Sequence, residues 1–369
     1  MGGEEGHRGR GDLDKVTRPS ARPPARAAFA GAAAQRRTWT RRQALASAAG
    51  LLSAASGIAR AGAQTQGNPA FSKPVRVIVG FPAGGGTDII ARILAERLRG
   101  TYASTVVIEN KPGASARLAV EYVKNAEPDG SVLLFTPDFP LTIYPHSFKS
   151  LSYDPVKDFT AIAAVSKSML TYSIGPAVPE SVRTLAAFLD WCKVNPGKAA
   201  FGTTSAGGSP HFVGMMVAGE ARIPMTAVHY RGGAPALQDL LGGHVPASIN
   251  PIAEVLPFAR SGSLRILAVT GSKRSRFLPE VPTMPEAGYD IVRDSWLGMF
   301  GPARMQAAAA DALSAAIADA VRVPQMVESL AKVGNEPKFE SPAELAVTLK
   351  ADIAWWGPVV KASGFVAED

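Results

Sequence analysis

The amino-acid sequence predicts an α/β fold with mostly parallel sheets divided between two lobes. Strand-like and helix-like segments alternate along the chain after residue 72, and two long extended segments, 161–175 and 294–301, interrupt this alternation. Repeated strand–helix–strand units form parallel sheets covered on both faces by helices. The two extended segments bracket a complete set of strands and helices, so we expect them to be crossover strands that form a hinge between the lobes.

The first units are predicted within residues 75–136. Residues 75–81 are an apolar run interrupted only by Arg76, as expected for a buried parallel strand. Residues 87–99 carry apolar side chains at helical spacing and stop before Gly100, a residue type that commonly ends helices. Strand 105–110, helix 115–126 and strand 131–136 follow.

The sequence assigns residues 73–172 and 296–369 to the first lobe and residues 173–295 to the second. The second lobe is predicted to contain helix 184–195, strand 199–204, helix 209–221, strand 226–230, helix 234–242, strand 245–249, helix 252–261 and strand 264–270. Three helical stretches are expected after residue 301.

The positive charge of the protein is concentrated in its first 63 residues. They hold 11 Lys or Arg and four Asp or Glu, whereas the other 306 residues hold 28 basic and 27 acidic residues. A nearly neutral body lacks the basic surface that nucleic acids or anionic membranes attract, so we expect neither as a partner.

Residues 1–63 resemble an export signal that is removed from the mature protein. Arg41 and Arg42 precede an uncharged stretch, 44–59, and the small residues 61–63 form a cleavage site. The stretch is shorter than the ~20 residues that cross a bilayer. The pattern fits a twin-arginine signal or an ordinary secretory signal, and both predict a periplasmic protein.

Three glycine-rich turns, at residues 82–88, 203–211 and 230–235, each join a predicted strand to a predicted helix. In parallel sheets such turns lie at the carboxyl ends of the strands, where ligands bind. The helices that follow present unpaired N–H groups and a positive dipole end to an anion. The three turns therefore predict a cleft that binds carboxylates without any arginine; the alternative is that they are only tight turns.

Catalysis is a weaker interpretation of the same turns. Ser205 lies between a strand and a helix, but Thr203 replaces the first glycine of a nucleophile elbow, and no pattern orients His211, His229 or His244 toward Ser205. The sequence also lacks a zinc-binding His-Glu-x-x-His pattern and a complete nucleotide-binding glycine pattern. We therefore expect no enzymatic activity, no cofactor and no metal, with a serine hydrolase that uses Ser205 as the remote alternative.

Several strings, in their order and spacing, resemble the Bug-type extracytoplasmic solute receptors, the substrate-binding (TctC) proteins of tripartite tricarboxylate transporters. They are VIVGFPAGGGTD (77–88), ENKPGA (109–114), YDPVKDF (153–159), GGSPH (207–211), YRGGAPALQDLLGG (230–243), LAVT (267–270) and VPTMPEAG (281–288). The resemblance implies a two-lobed periplasmic binding protein fold of type II that closes like a flytrap on a small carboxylate or amino acid. It also implies the membrane subunits of such a transporter as partners, and we expect a monomer. A stand-alone periplasmic sensor is the alternative.

The resemblance, together with the glycine-rich turns, assigns ligand binding to a set of residues from both lobes. From the first lobe come Phe81, Ala83, Gly84, Gly85, Thr87, Asp88 and Asp138, and from the second Thr204, Ser205, Ser209, Tyr230, Gly232 and Asn250. On the bare sequence, Asp88 would instead be an acidic residue that complements the dipole of its helix.

The sequence departs from the family pattern in three places near the expected cleft. Ser115 and Ala116 stand where two glycines are usual, Asp138 stands in a position that is commonly small and polar, and Asn250 replaces a common Asp. An acidic Asp138 in the cleft would repel an anion. The sequence thus predicts a ligand with one carboxylate and an amino or other donor group, unless Asp138 only caps the helical turn at Pro140.

We expect the mature protein to begin near Gln64, because residues 61–63 form the suitable cleavage site after the apolar stretch. Mass spectrometry of the exported protein measures this directly. Lysine at positions 41 and 42 should block export by the twin-arginine route and have little effect on ordinary secretion. A soluble exported form that retains the leader would contradict the assignment.

Overall fold

The computed structural model describes residues 71–367, which form two mixed sheets that share one long strand. The predicted export signal lies outside these described residues. Every helix in the described range is too short or too polar to span a bilayer.

The strands occur in the predicted places, with one addition near the C-terminus. They are β1 (Val75–Val79), β2 (Val106–Asn110), β3 (Val132–Pro137), β4 (Phe159–Ile174), β5 (Ala200–Thr203), β6 (Thr226–His229), β7 (Ala247–Pro251), β8 (Arg265–Val269), β9 (Asp294–Pro302) and β10 (Glu336–Glu340).

The helices between them cover the faces of the sheets. They are α1 (Gly86–Leu98), α2 (Arg117–Lys124), α3 (Phe139–Thr142), α4 (Tyr144–Ser147), α5 (Leu185–Val194), α6 (Ser209–Ala221), α7 (Gly233–Leu241), α8 (Ile252–Arg260), α9 (Ala307–Ala320), α10 (Pro324–Lys332) and α11 (Pro342–Ser363).

Strand β4 belongs to both sheets. Its residues from Phe159 to Met169 pair antiparallel with β9, and those from Leu170 to Ile174 pair antiparallel with β7. The first sheet continues from β9 through β3, β1 and β2, and β10 flanks β4 on the other side. The second sheet continues from β7 through β5 and β6, with β8 on the far side of β4.

Each sheet combines a parallel outer part with an antiparallel junction. β1 pairs parallel with β2 and β3, and β5 pairs parallel with β6 and β7. The antiparallel pairs are those made by β4 and β9. The parallel parts agree with the sequence prediction, and the antiparallel junction follows from the return of the chain between the two sheets.

Apolar side chains form separate cores around the two sheets. In the first sheet, Val77 and Phe135 pack with Leu94 of α1 and Leu313 of α9. In the second, Phe201 and Ile249 pack with helices α5 and α6. These fully buried clusters account for the near-continuous apolar runs of the parallel strands.

The C-terminal helix α11 links elements on both sides of the junction. Its Trp356 is 1% exposed and packs in a cluster with Phe139, which follows β3, and with Phe212 of α6. The ring centroids of Trp356 and Phe212 are 6.1 Å apart. This cluster was not anticipated from the sequence, because its members are far apart along the chain.

Two local features differ from the sequence prediction. Strand β10 was missed because all of its residues are half-buried and Pro337 interrupts the pattern. The helix predicted over residues 115–126 begins only at Arg117. Ser115 and Ala116 instead adopt left-handed backbone angles, with φ of 54° and 72°, which glycine would adopt without strain.

The Trp356 cluster yields a stability prediction with a neighbouring control. Trp356→Ala should lower the free energy of unfolding by about 3–5 kcal/mol, since it leaves a cavity among buried aromatic rings. Trp355→Ala should cost less, about 2 kcal/mol at most, because Trp355 is 38% exposed and contributes an edge-to-face contact with Trp356 and a contact with the Arg293 guanidinium. Urea unfolding of both variants measures the difference, and equal losses would contradict the assigned packing.

Candidate functional site

A cavity of about 90 Å³ lies where four helices begin. Gly86 of α1, Ser209 of α6, Gly233 of α7 and Ala253 in the first turn of α8 all line it. Strand β4 contributes Ser168 and Leu170, and β9 contributes Ser295 and Leu297. The cavity thus lies against the two strands that join the sheets, and it receives the positive dipole ends of four helices.

The first glycine-rich turn is held in shape by a buried carboxylate. Asp88 is 2% exposed and accepts hydrogen bonds from the Gly84 amide, from Arg92 and from Asn110, each at 2.9 Å. Burial raises the pKa of Asp88, but the Arg92, Gly84 and Asn110 donors outweigh it and hold the pKa below its ordinary value. Gly84 has a φ of +81°, so this turn needs glycine there.

The second turn contributes a serine whose hydroxyl has no partner. Ser209 is 4% exposed and lines the cavity, and its buried Oγ has no hydrogen-bond partner among the described residues. Thr204 lines the cavity beside it. Two hydrogen bonds within the loop fix its conformation. Thr203 Oγ1 donates to the Ser205 carbonyl at 2.9 Å, and the Gly207 amide donates to His211 Nδ1 at 3.2 Å.

The third turn brings glycine against a carboxylate. A Cβ placed on Gly233 would lie within 2.5 Å of the Glu254 carboxylate, so any larger residue there would displace that carboxylate. Gly232 lines the cavity with a φ of +101°. Tyr230 points away from the cavity lining and donates its hydroxyl to Asp239 at 2.7 Å.

A short hydrogen-bonded series orients Glu254. Ser248 Oγ donates to Asn250 Oδ1 at 2.6 Å, and Asn250 Nδ2 donates to Glu254 Oε2 at 2.9 Å. Burial raises the pKa of Glu254, while hydrogen bonds from Asn250 and from the Gly86 amide act in the opposite direction. Asn250 is therefore a positioning residue for an acidic side chain in the cavity wall.

The structure separates the thirteen predicted site residues into two groups. Those that line the cavity are Phe81, Ala83, Gly85, Thr87, Thr204, Ser209 and Gly232. Those outside the lining are Gly84, Asp88, Asp138, Ser205, Tyr230 and Asn250.

Sequence reasoning missed the two charged side chains that line the cavity within the described residues, Arg231 and Glu254. Arg231 belongs to the third glycine-rich turn, where the helix N-terminus alone predicts anion binding. Glu254 lies in the first turn of α8, where an acidic residue ordinarily complements the helix dipole. The four-residue spacing from Asn250 was the available signal.

Asp138 lies one layer behind the cavity wall. It is 3% exposed and accepts a hydrogen bond from Ser295 Oγ at 2.8 Å, and Ser295 itself lines the cavity. Its backbone begins α3, but its side chain makes no capping hydrogen bond. Burial raises the pKa of Asp138 to about 7.

The structure does not assemble a hydrolase site around Ser205. Its hydroxyl forms no hydrogen bond with any histidine among the described residues, and Ser205 is buried outside the cavity lining. His211 packs edge-on against His229 and Phe365, and burial lowers its pKa to about 3. Residues 71–367 contain no cluster of three or more His, Cys, Asp or Glu side chains that could hold a metal.

The raised pKa of Asp138 predicts a distinctive pH dependence. Between about pH 4 and pH 7 the unfolded chain has released this proton while the folded protein retains it, so the carboxyl's contribution to stability falls as pH rises. Asp138→Asn removes this fall and should gain stability relative to wild type by up to about 4 kcal/mol from pH 4 to pH 8.

Urea unfolding at both pH values measures this gain, with Asp311→Asn on the exposed face of α9 as the control. Equal pH dependence of Asp138→Asn and wild type would show that Asp138 is ionised in the folded protein.

Comparison with known proteins identifies relatives along almost the whole body of the chain. Residues 90–365 match the family model of the tripartite tricarboxylate transporter family receptor, TctC. The UPF0065 protein in the gbd 5′ region of Cupriavidus necator is 32% identical over 314 residues, which cover 85% of this chain and 93% of the relative. BugT of Bordetella pertussis is 31% identical over 295 residues, which cover 79% of this chain and 90% of BugT.

Solved structures share the fold across their full length. The periplasmic binding protein BugD is 29% identical, with a TM-score of 0.75 over 80% of this chain and 99% of BugD. Rpa4515 of R. palustris, solved with adipate, is 28% identical, with a TM-score of 0.76 over 79% of this chain and 98% of Rpa4515. MatC of Rhodopseudomonas palustris, solved with malate, is 26% identical, with a TM-score of 0.72 over 78% of this chain and 98% of MatC.

The family match, the curated relatives and the shared two-lobed fold agree with the resemblance drawn from the sequence strings. The chain belongs to the TctC family of Bug-type receptors, which are solute-binding proteins and not enzymes.

Proposed function

We propose that this protein is a periplasmic receptor that captures a small organic acid between its lobes and delivers it to the membrane subunits of a tripartite transporter. The observation that carries the proposal is Ser209, a residue with an unpartnered buried hydroxyl that begins α6 and lines a cavity where three further helices begin. A buried hydroxyl without a partner is costly unless a ligand completes its hydrogen bond.

The arrangement suits a carboxylate. Each helix N-terminus stabilises a nearby anion by about 0.3–1 kcal/mol, and by up to ~2 kcal/mol in partly buried geometry. The glycines at positions 85, 86, 232 and 233 let the backbone N–H groups approach the ligand closely. The structures of Rpa4515 with adipate and MatC with malate support a carboxylic acid as the ligand class.

The lobes proposed for capture are residues 73–172 with 296–369, and residues 173–295. The shared strand β4 and the start of β9 would form the hinge, since the chain passes between the sheets there. Closure about such a hinge is the usual way in which binding proteins enclose a ligand. The predicted signal in residues 1–63 supports export to the periplasm.

A thermal-shift screen against small organic acids tests the proposal. A ligand at 100 times its Kd should add about 2.7 kcal/mol to the free energy of unfolding. Ser209→Ala should weaken that ligand about 10-fold or more, because a hydrogen bond to a charged group is lost. The ligand-free variant should be no less stable than wild type, since the deleted hydroxyl has no partner.

Ser329→Ala, on the exposed face of α10, is the matched control and should leave affinity unchanged. A confirmed acid ligand whose affinity is the same in Ser209→Ala and wild type would overturn the assigned site.

A further inference from the structure

Glu254 is an acidic side chain in a cavity otherwise suited to anions. It lines the cavity from the first turn of α8, and its carboxylate lies against Gly86 and Gly233 at the starts of α1 and α7. Asn250 Nδ2 donates a hydrogen bond to Glu254 Oε2 at 2.9 Å. These contacts fix the carboxylate in the wall between elements of both sheets, where it faces whatever the cavity binds.

No basic side chain of the described chain forms an ion pair with Glu254. Its polar partners are the Asn250 amide and the Gly86 backbone N–H, both of them neutral. A carboxylate has about four acceptor positions, so two neutral donors leave capacity for further hydrogen bonds. Arg231 is the other charged residue of the lining, but it is exposed and forms no ion pair with Glu254. A cation that enters the cavity therefore still gains strongly from this partly buried carboxylate.

The Ser209 hydroxyl lies at a different helix start in the same cavity. Ser209 begins α6, whereas Glu254 is in the first turn of α8, and α6 follows β5 while α8 follows β7. The cavity lining therefore combines a hydroxyl donor at Ser209 with a carboxylate acceptor at Glu254. A ligand that satisfies both residues needs an acceptor for the first and a charged donor for the second.

We propose that Glu254 selects ligands that carry a protonated amino group, so that the receptor binds amino acids in preference to the corresponding plain acids. The inference rests on the proposed function, because the ligand's carboxylate is taken to bind at Ser209 and the surrounding helix starts. The amino group donates to the free acceptor positions of Glu254, and Asn250 positions the carboxylate to receive it.

A dicarboxylate without an amino group fits this cavity less well. Its second carboxylate would meet Glu254, and like charges a few ångströms apart repel unless one is protonated. The sequence attributed such selectivity to Asp138, but in the structure Asp138 lies behind Ser295 and Glu254 is the acidic residue in the lining. The competing interpretation is that Glu254 only complements the dipole of α8.

Matched pairs of ligands separate these interpretations. Isothermal titration calorimetry on the purified receptor would compare L-alanine with propionate, L-aspartate with succinate, L-glutamate with glutarate, and γ-aminobutyrate with butyrate. In wild type, the amino member of the best-bound pair should bind at least about 10-fold more tightly. Glu254→Gln should weaken that member about 30-fold or more and leave the plain acid unchanged or tighter.

Two further variants complete the test. Glu254→Asp keeps the charge and should retain the amino preference, and it also serves if Glu254→Gln does not fold, as checked by thermal unfolding. Glu220→Gln, at the exposed end of α6, is the matched control and should behave as wild type.

Each outcome bears on a separate claim. Two results would overturn the role of Glu254: equal binding of both members by wild type, or an amino preference that survives in Glu254→Gln. In either case, acid binding that depends on Ser209 would leave the proposed function intact. If wild type binds no member of any pair, the inference is overturned, and the proposed function is then decided by the thermal-shift screen of other organic acids.

Discussion

The shared strand β4 is the constraint on which the rest of the structure depends. One continuous 16-residue strand pairs with β9 in the first sheet and with β7 and β8 in the second. Because its backbone hydrogen bonds join both sheets, the ends of the parallel strands of both sheets meet at the same cavity. The helix starts that follow those strands converge there for the same reason.

Convergence of helix starts would let the cavity bind the proposed acid ligand with few charged side chains. Backbone N–H groups and hydroxyls supply the donors, and glycines at the turns keep the approach open. Charged residues mostly act one layer away: Asp88 holds the first turn through Gly84, Arg92 and Asn110. Rigid loops of this kind lose little conformational entropy when a ligand binds.

Glu254 and Asp138 show how position decides the role of an acidic residue. Both carboxyls have a raised pKa because of burial, yet Glu254 is in the cavity wall and Asp138 is behind Ser295. The first lines the cavity, and the second accepts a hydrogen bond from the serine that lines it. Selectivity for a ligand's amino group is therefore expected from Glu254 and not from Asp138.

The sequence by itself determined the α/β class, most strand and helix positions, the three glycine-rich turns and the family, because these depend on local periodicity, turn chemistry and contiguous strings. It could not reveal the Trp356 cluster or the half-buried β10, whose contacts join distant segments. Of the cavity lining, it identified seven residues, namely Phe81, Ala83, Gly85, Thr87, Thr204, Ser209 and Gly232. Only the tertiary structure showed that Glu254 enters the cavity while Asp88, Asp138 and Tyr230 do not line it, because the direction of a side chain depends on packing between elements.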